Sequence, residues 1–206
     1  MTSVLDKKPK SKRTRLDPEK RRQLLLDVAV TVTAKSGLGR ARHADIAKLA
    51  GVAVSTVFFY FPTVDHLSKA VIDEVENVFT SIPSTISIDI TSKESFSATL
   101  KKHEQYFDHI VKQNVDSASI FLEWSNAVTN PLWPVFLKFR SKYLELIRKS
   151  LMQAKLQGEL KDNLDIDAIT IMISMLLMLV FKMKYFGDTD TAVKEVFQCI
   201  SNHIFK

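Results

Sequence analysis

The stretch from His43 to Phe61, HADIAKLAGVAVSTVFFYF, constrains this chain more than any other. It spells two short helices around one tight turn. Ala44, Ile46, Ala47, Leu49 and Ala50 give the first helix a compact apolar side of mostly small groups, so a partner helix can approach closely. Gly51 falls at the turn, where a left-handed backbone penalises any residue with a Cβ. Val54 to Phe61 reads as the second helix, with Val57, Phe58 and Phe61 for packing and Ser55 and Thr56 outward; Pro62 stops it. This is the outline of a helix-turn-helix, which lays its second helix in the DNA major groove.

A longer helix precedes it. Asp17 can N-cap, Pro18 suits the first helical position, and Gly37 ends the run. Leu24, Leu25, Val28, Ala29 and Val32 recur at helical spacing, which predicts a three-helix DNA-binding unit over residues 17–62. Gly37-Leu38-Gly39 lacks the third glycine of a dinucleotide fingerprint and reads as a cap and turn. Residues 1–16 read as a flexible basic arm without apolar periodicity. Between Lys7 and Arg22 nine Lys or Arg stand against two acids, in a chain of net charge +6. Such an end suits a polyanion, nucleic acid first and an anionic membrane surface second. Arg13 and Arg15, one residue apart, suit an extended arm in a narrow minor groove; phosphate attraction without register is the other reading. Arg40 and Arg42 sit near the start of the second helix, where DNA phosphates would lie. His43 either faces DNA or serves the helix start.

Beyond Pro62 the pattern stays helical, and residues 63–206 are expected to form a C-terminal regulatory and dimerisation domain. Thr63 can cap a fourth helix whose stripe is Leu67, Val71, Val75 and Val78, the lever between the two parts. Pro83 and the SIPSTISIDITS stretch predict a loop. Thr91 and Glu94 fit a capping box that opens a fifth helix with Phe96, Leu100, Phe107, Ile110 and Val111 apolar. A sixth is expected from about Asp116 to Thr129 with Ile120, Phe121, Trp124 and Val128 inward. A seventh runs from Trp133-Pro134 to Gly158, burying Phe136, Tyr143, Ile147, Leu151 and Ala154. Asp165 can cap the eighth, and Thr189 or Asp190 the ninth, which carries Val193, Phe197, Ile200 and Ile204. With Gly and Pro sparse and no strand pair, the expected class is all-α with about nine helices.

The eighth helix is apolar nearly all round from Ile169 to Leu179. A helix without a polar face must be covered on every side, and a second subunit is the economical cover. A homodimer through the eighth and ninth helices follows, and would present two recognition helices to a near-palindromic operator in double-stranded DNA. Asp167, Thr170 and Ser174 interrupt the apolar run and Lys182 and Lys184 follow it, so a buried helix is expected and not a membrane span. Cys199 is the only cysteine; it lies in an apolar pattern, which predicts a buried, inert thiol. With no signal-peptide core at the N-terminus, a bacterial cytoplasmic, nucleoid-associated protein is expected.

No H-E-x-x-H, G-x-S-x-G or P-loop occurs, and His103 and His109 are badly spaced for one metal. No catalytic residue, metal or cofactor is therefore expected. Phe79, Phe121, Trp124 and the methionines are either plain core or the lining of a cavity.

The helix-turn-helix followed by YFPT-x-x-x-L and an all-helical remainder resembles the TetR family of transcription regulators. KRTRL, GLGRARHADIA, TVFFYFP, FLEWS and LWPVF further resemble the LuxR/HapR-type quorum-sensing master regulators of vibrios, over essentially the whole chain. The resemblance implies a minor-groove arm at Arg13 and Arg15, and DNA contacts at Ser55, Thr56, Phe59, Tyr60 and Thr63 beside Arg42 and His43. It places Phe79, Thr80, Phe121, Trp124, Phe136 and Arg140 around a cavity for a small apolar or amphipathic ligand. Phe59 stands where that group usually has Asn, Val64 where it has Lys or Arg, and Arg140 where it has a neutral amide. Phenylalanine cannot hydrogen-bond a base edge but can meet a thymine methyl. Arg140 either holds an anionic ligand group or points to solvent. The implied function is a dimeric, sequence-specific transcription regulator in a quorum-sensing or related regulon. The alternative is a basic amphipathic protein acting on membranes or acidic partners.

Overall fold

The computed structural model describes residues 17–85 and 88–206, with the side chains of 81–87 left aside; the arm with Arg13 and Arg15 lies outside the described residues. Nine helices run through them: α1 (Pro18–Ser36), α2 (His43–Ala50), α3 (Val54–Tyr60), α4 (Val64–Thr85), α5 (Lys93–Gln113), α6 (Val115–Trp124), α7 (Trp133–Leu156), α8 (Ile166–Phe186) and α9 (Asp190–Ile204). One antiparallel bridge pairs Leu160 with Phe205 and ties the C-terminal end to the turn after α7. The chain is all-α, as its periodicity predicts.

The small N-terminal helices are organised by α1, which packs on α2, α4 and α6. Its buried side is Leu25, Leu26, Ala29, Val30, Val32 and Thr33, while Leu24 is exposed, so the stripe is rotated by about one residue from the expected one. Asp17 sits at the N-cap position but its side chain makes no capping bond; Pro18 alone sets the start. Leu67, Val71, Ile72, Val75 and Phe79 carry α4 out of this unit into the C-terminal bundle. That bundle is built by α7 and α5 packing on α8, with α9 against α5 and α8.

Four further expectations are corrected. The loop expected from residue 81 begins later, because α4 continues through Pro83 to Thr85 and residues 88–92 are the non-helical part; a proline in a last turn forfeits only its own N–H bond. The capping box lies one residue later than expected. Ser92 and Ser95 exchange side-chain and backbone bonds at 3.1 and 2.9 Å, while Thr91 turns back to Asp89. At Trp124, not at Thr129, α6 ends. The Asn126 amide binds the Leu122 carbonyl at 2.7 Å, the chain folds back to put the Leu132 carbonyl 3.0 Å from the Trp124 indole, and Val128 is left exposed. Cys199 is exposed, on the outer side of α9.

Two polar links, each with a buried side chain at its centre, lock the bundle. Lys184 of α8 is 7% exposed and reaches Glu104 of α5 at 2.9 Å and Asp190 of α9 at 2.5 Å. Burial alone would lower its pKa, but the two carboxylates outweigh that and hold the ammonium above its ordinary value. The other link joins α5 to α7. His103 donates from Nδ1 to the Thr99 carbonyl at 2.8 Å, and the Tyr143 hydroxyl donates to its Nε2 at 2.5 Å. Burial pushes His103 below its ordinary 6.5 and the Tyr143 phenol well up, so both are neutral. The stability that neutral His103 supplies is complete above about pH 6.5 and is lost as pH falls toward the lower folded value, since the unfolded chain takes the proton first. The melting temperature should therefore drop more from about pH 7.5 to about pH 5 in the native protein than in His103→Gln. An equal drop in both would remove His103 from the acid response.

Along α8, Ile171, Met175 and Leu179 are 49, 53 and 46% exposed, one above another at four-residue steps, while Ile173, Leu176, Val180 and Phe181 face the bundle. By length and composition alone α8 could cross a membrane; here its other sides pack on α5, α7 and α9.

Candidate nucleic-acid interface and ligand cavity

Gly51 closes α2 in the left-handed region, φ 65° and ψ 37°, and its N–H and that of Val52 cap the helix on Ala47 and Lys48 carbonyls. The turn aims α3 across α2. Val57 and Phe61 anchor α3 in the core, leaving Ser55 exposed and Thr56 and Tyr60 half-buried. Phe59 is 77% exposed, its ring edge-on to Tyr60 at 5.0 Å.

Phe58 and His43 depart from expectation together. Phe58 stays half exposed and stacks flat on His43 at 4.1 Å. His43 is buried, with Nε2 2.6 Å from the Phe61 carbonyl. Nε2–H donates to that carbonyl, one of those that α3 leaves open at its C-terminal end. His43 is thus a buried strut between the start of α2 and the end of α3, nearer to the helix-start reading than to an exposed group. Arg42 and Arg40 are exposed beside it. The Arg22 guanidinium lies over the Phe61 ring at 5.3 Å, a cation–π contact that helps fix α1 against α3. Thr63 is exposed, and its hydroxyl accepts the His66 N–H at 3.1 Å as the N-cap of α4.

Sequence reasoning missed Glu123. From α6 its two carboxylate oxygens each lie 3.0 Å from the Leu38 N–H, in the turn between α1 and α2. A second link runs beside it, the Thr31 hydroxyl donating to Asp116 at 2.7 Å. The signal was available: one acid inside the apolar run Ile120 to Trp124.

A cavity of about 350 Å³ opens among α4, α5, α6, α7 and α8. Phe79 stacks on Phe121 at 3.8 Å, and Phe181 stands edge-on to both. Phe107, Trp133, Phe136, Phe139, Tyr143, Leu177 and Met178 complete most of the wall, and Arg140 and Lys182 join it. Of the six cavity residues expected, Phe79, Phe121, Phe136 and Arg140 line it. Trp124 does not: it is wholly buried behind the wall, 5.3 Å from Phe136, with its indole N–H held by Leu132. Thr80 is also outside the lining, its hydroxyl turned to the Asn77 carbonyl at 3.4 Å. Among the described residues no group of His, Cys, Asp and Glu is arranged to hold a metal.

A family model described as bacterial regulatory proteins, tetR family, matches residues 25–71. The chain is 34% identical over 160 residues to the HTH-type transcriptional regulator LuxR of Vibrio harveyi, covering 77% of this chain and 76% of that protein. It is 28% identical over 148 residues to a fatty acid metabolism regulator protein of Bacillus subtilis, covering 69% and 72%. In fold it is similar to a TetR-like transcriptional regulator from Rhodococcus, with TM-score 0.70, 18% identity, and 92% and 96% of the two chains covered. The transcriptional regulator FadR of B. subtilis, solved with stearoyl-CoA, superposes with TM-score 0.67 at 23% identity, covering 88% and 98%.

Proposed function

The chain belongs to the TetR family of bacterial regulatory proteins, and on that premise we propose that it is a homodimeric, sequence-specific transcription regulator that binds a near-palindromic operator. The observation that carries this is α3: anchored by Val57 and Phe61, it turns Ser55, Thr56 and Phe59 outward at the end of a turn whose geometry Gly51 fixes. Arg42, Tyr60 and Thr63 flank it as phosphate contacts, and the arm with Arg13 and Arg15 enters the adjoining minor groove. The uncovered stripe of α8, continued by α9, meets its two-fold copy. The likeness to the V. harveyi regulator supports a role in a quorum-sensing or related regulon, on the nucleoid.

The cavity takes a small ligand, and its occupancy biases DNA binding by a shift between two populations. Two connections leave the cavity for the DNA-binding unit: α4 from Phe79, and α6 through Glu123 to the Leu38 N–H.

Selection of bound sites from random duplex DNA tests the proposal. Enriched sites should be near-palindromes with half-sites one helical turn, about 10 base pairs, or a multiple apart. No enrichment over the starting pool would reject it. On the selected site, Arg13→Ala with Arg15→Ala should weaken binding and lower the slope of log affinity against log salt by about one per arginine in each protomer. An unchanged slope would take the arm off the DNA.

A further inference from the structure

The cavity wall is mostly aromatic and aliphatic, with a few neutral polar groups and charges of one sign. Arg140 from α7 and Lys182 from α8 both line it, both are half-buried, and neither has an ion pair among the described residues. Their neighbours differ. Arg148, Lys149 and Lys184 on the same two helices are matched with Asp167, Glu145, and Glu104 and Asp190. Lys138, Lys142 and Lys155 are unpaired too, but they stand exposed in solvent, where an ammonium needs no partner. No acid is found in the lining. Two cations at a low-dielectric cleft without a counter-charge set up a positive potential directed into it.

The hydroxyl and amide groups of the wall have already used their donors, which leaves the Trp133 indole N–H as its one neutral donor without a partner among the described residues. Tyr143 donates to His103, Ser125 to the Leu122 carbonyl, Ser174 to the Ile171 carbonyl, and the Asn126 amide to Leu122 and Ser125. A ligand oxygen entering here is met by the guanidinium and the ammonium. The volume sets the scale of the enclosed part, since the cavity also opens to solvent past Leu137 and Met175. At ~30 Å³ per heavy atom, the liquid share of a water, about 350 Å³ holds about a dozen heavy atoms.

We propose that the cavity binds a single-chain carboxylate of medium length. The carboxylate lies against Arg140 and Lys182, and the chain against the rings of Phe79, Phe121 and Phe181. This rests on the reading of the cavity as the ligand site of the regulator. Arg140 supplies the planar fork that carboxylates prefer, and Lys182 a second point charge.

Decanoate, with twelve heavy atoms, is the probe, and decanol the same chain without the charge. Titration of the full chain, followed by calorimetry and tryptophan fluorescence, should find decanoate bound at least tenfold more tightly than decanol. Arg140→Gln with Lys182→Gln should weaken decanoate at least tenfold and leave decanol unchanged, with the circular dichroism melt of the variant confirming its fold. Equal affinity for the two probes, undiminished decanoate binding by the double variant, or no decanoate binding by the native protein would each overturn the proposal. An operator shift assay on the same samples separates it from the regulatory reading. Decanoate binding that leaves operator affinity unchanged sustains the ligand class and rejects the regulation; operator binding without decanoate binding rejects the ligand class alone.

Discussion

Replacing Ile171 and Leu179 with glutamate is expected to leave a folded monomer that no longer holds its operator at nanomolar concentrations. The two side chains are half exposed on one line of α8, with Met175 between them. A soluble helix whose mean character is this apolar has little reason to leave such a line in water unless another surface covers it. Around a two-fold axis each substitution enters twice, so four carboxylates would be placed in one apolar seam. An unpaired charge in a buried interface costs several kcal/mol, so the dimer should weaken by far more than 100-fold. Operator affinity falls with it, because the second half-site is bound at an effective concentration that linkage makes 10²–10⁴-fold more favourable. Met175 is left unchanged because it also lines the cavity, and the circular dichroism melt reports whether the monomer is intact. Sedimentation velocity at micromolar protein reads the outcome. A dimer that survives both glutamates would move the subunit contact away from α8.

The helices themselves were legible because periodicity, caps and breakers agree with one another. Asp165 caps α8 and Thr189 caps α9 through the bonds their positions predict, and Gly187 ends α8 at a positive φ of 82°. Some misses are local shifts, such as the capping box at Ser92 and Ser95 and the end of α6 ahead of Asn126; the others turn on what lies across the fold. Phe121 and Trp124 are three residues apart and read as one inward face, yet one borders the cavity and the other is sealed behind it by Phe136 and the returning Leu132 carbonyl. Lys182 and Lys184 look alike in sequence, but Glu104 and Asp190 claim only the second. His43, beside Arg42 at a helix start, left both a DNA-facing and a helix-start role open; its partner is Phe61, eighteen residues on. Cys199 sits in an apolar pattern but on the side of α9 that no helix of its own chain covers.

Phe59 carries the prediction most specific to this chain. It is among the most exposed large apolar residues described, on the helix proposed to meet DNA, and it offers no hydrogen bond. Its available base contact is with the methyl group of thymine in the major groove. Phe59→Ala should leave the melting temperature unchanged, since little of the ring is buried, and should weaken operator binding. A lost base contact costs about 1–3 kcal/mol and occurs once in each half-site, so the total is roughly 2 kcal/mol or more, about 30-fold in affinity. Phe59→Asn should shift the selected sites toward adenine at the contacted position, where an amide bonds N6 and N7. Changing the operator gives an independent handle on the same contact. Uracil in place of the contacted thymine removes the methyl and nothing else, so native protein should lose affinity on it while Phe59→Ala does not. The coupling energy of that cycle isolates the ring–methyl contact from any shift in α3. If both proteins lose equally on uracil, the methyl is read by another side chain, and Phe59 acts only by excluding water from the groove.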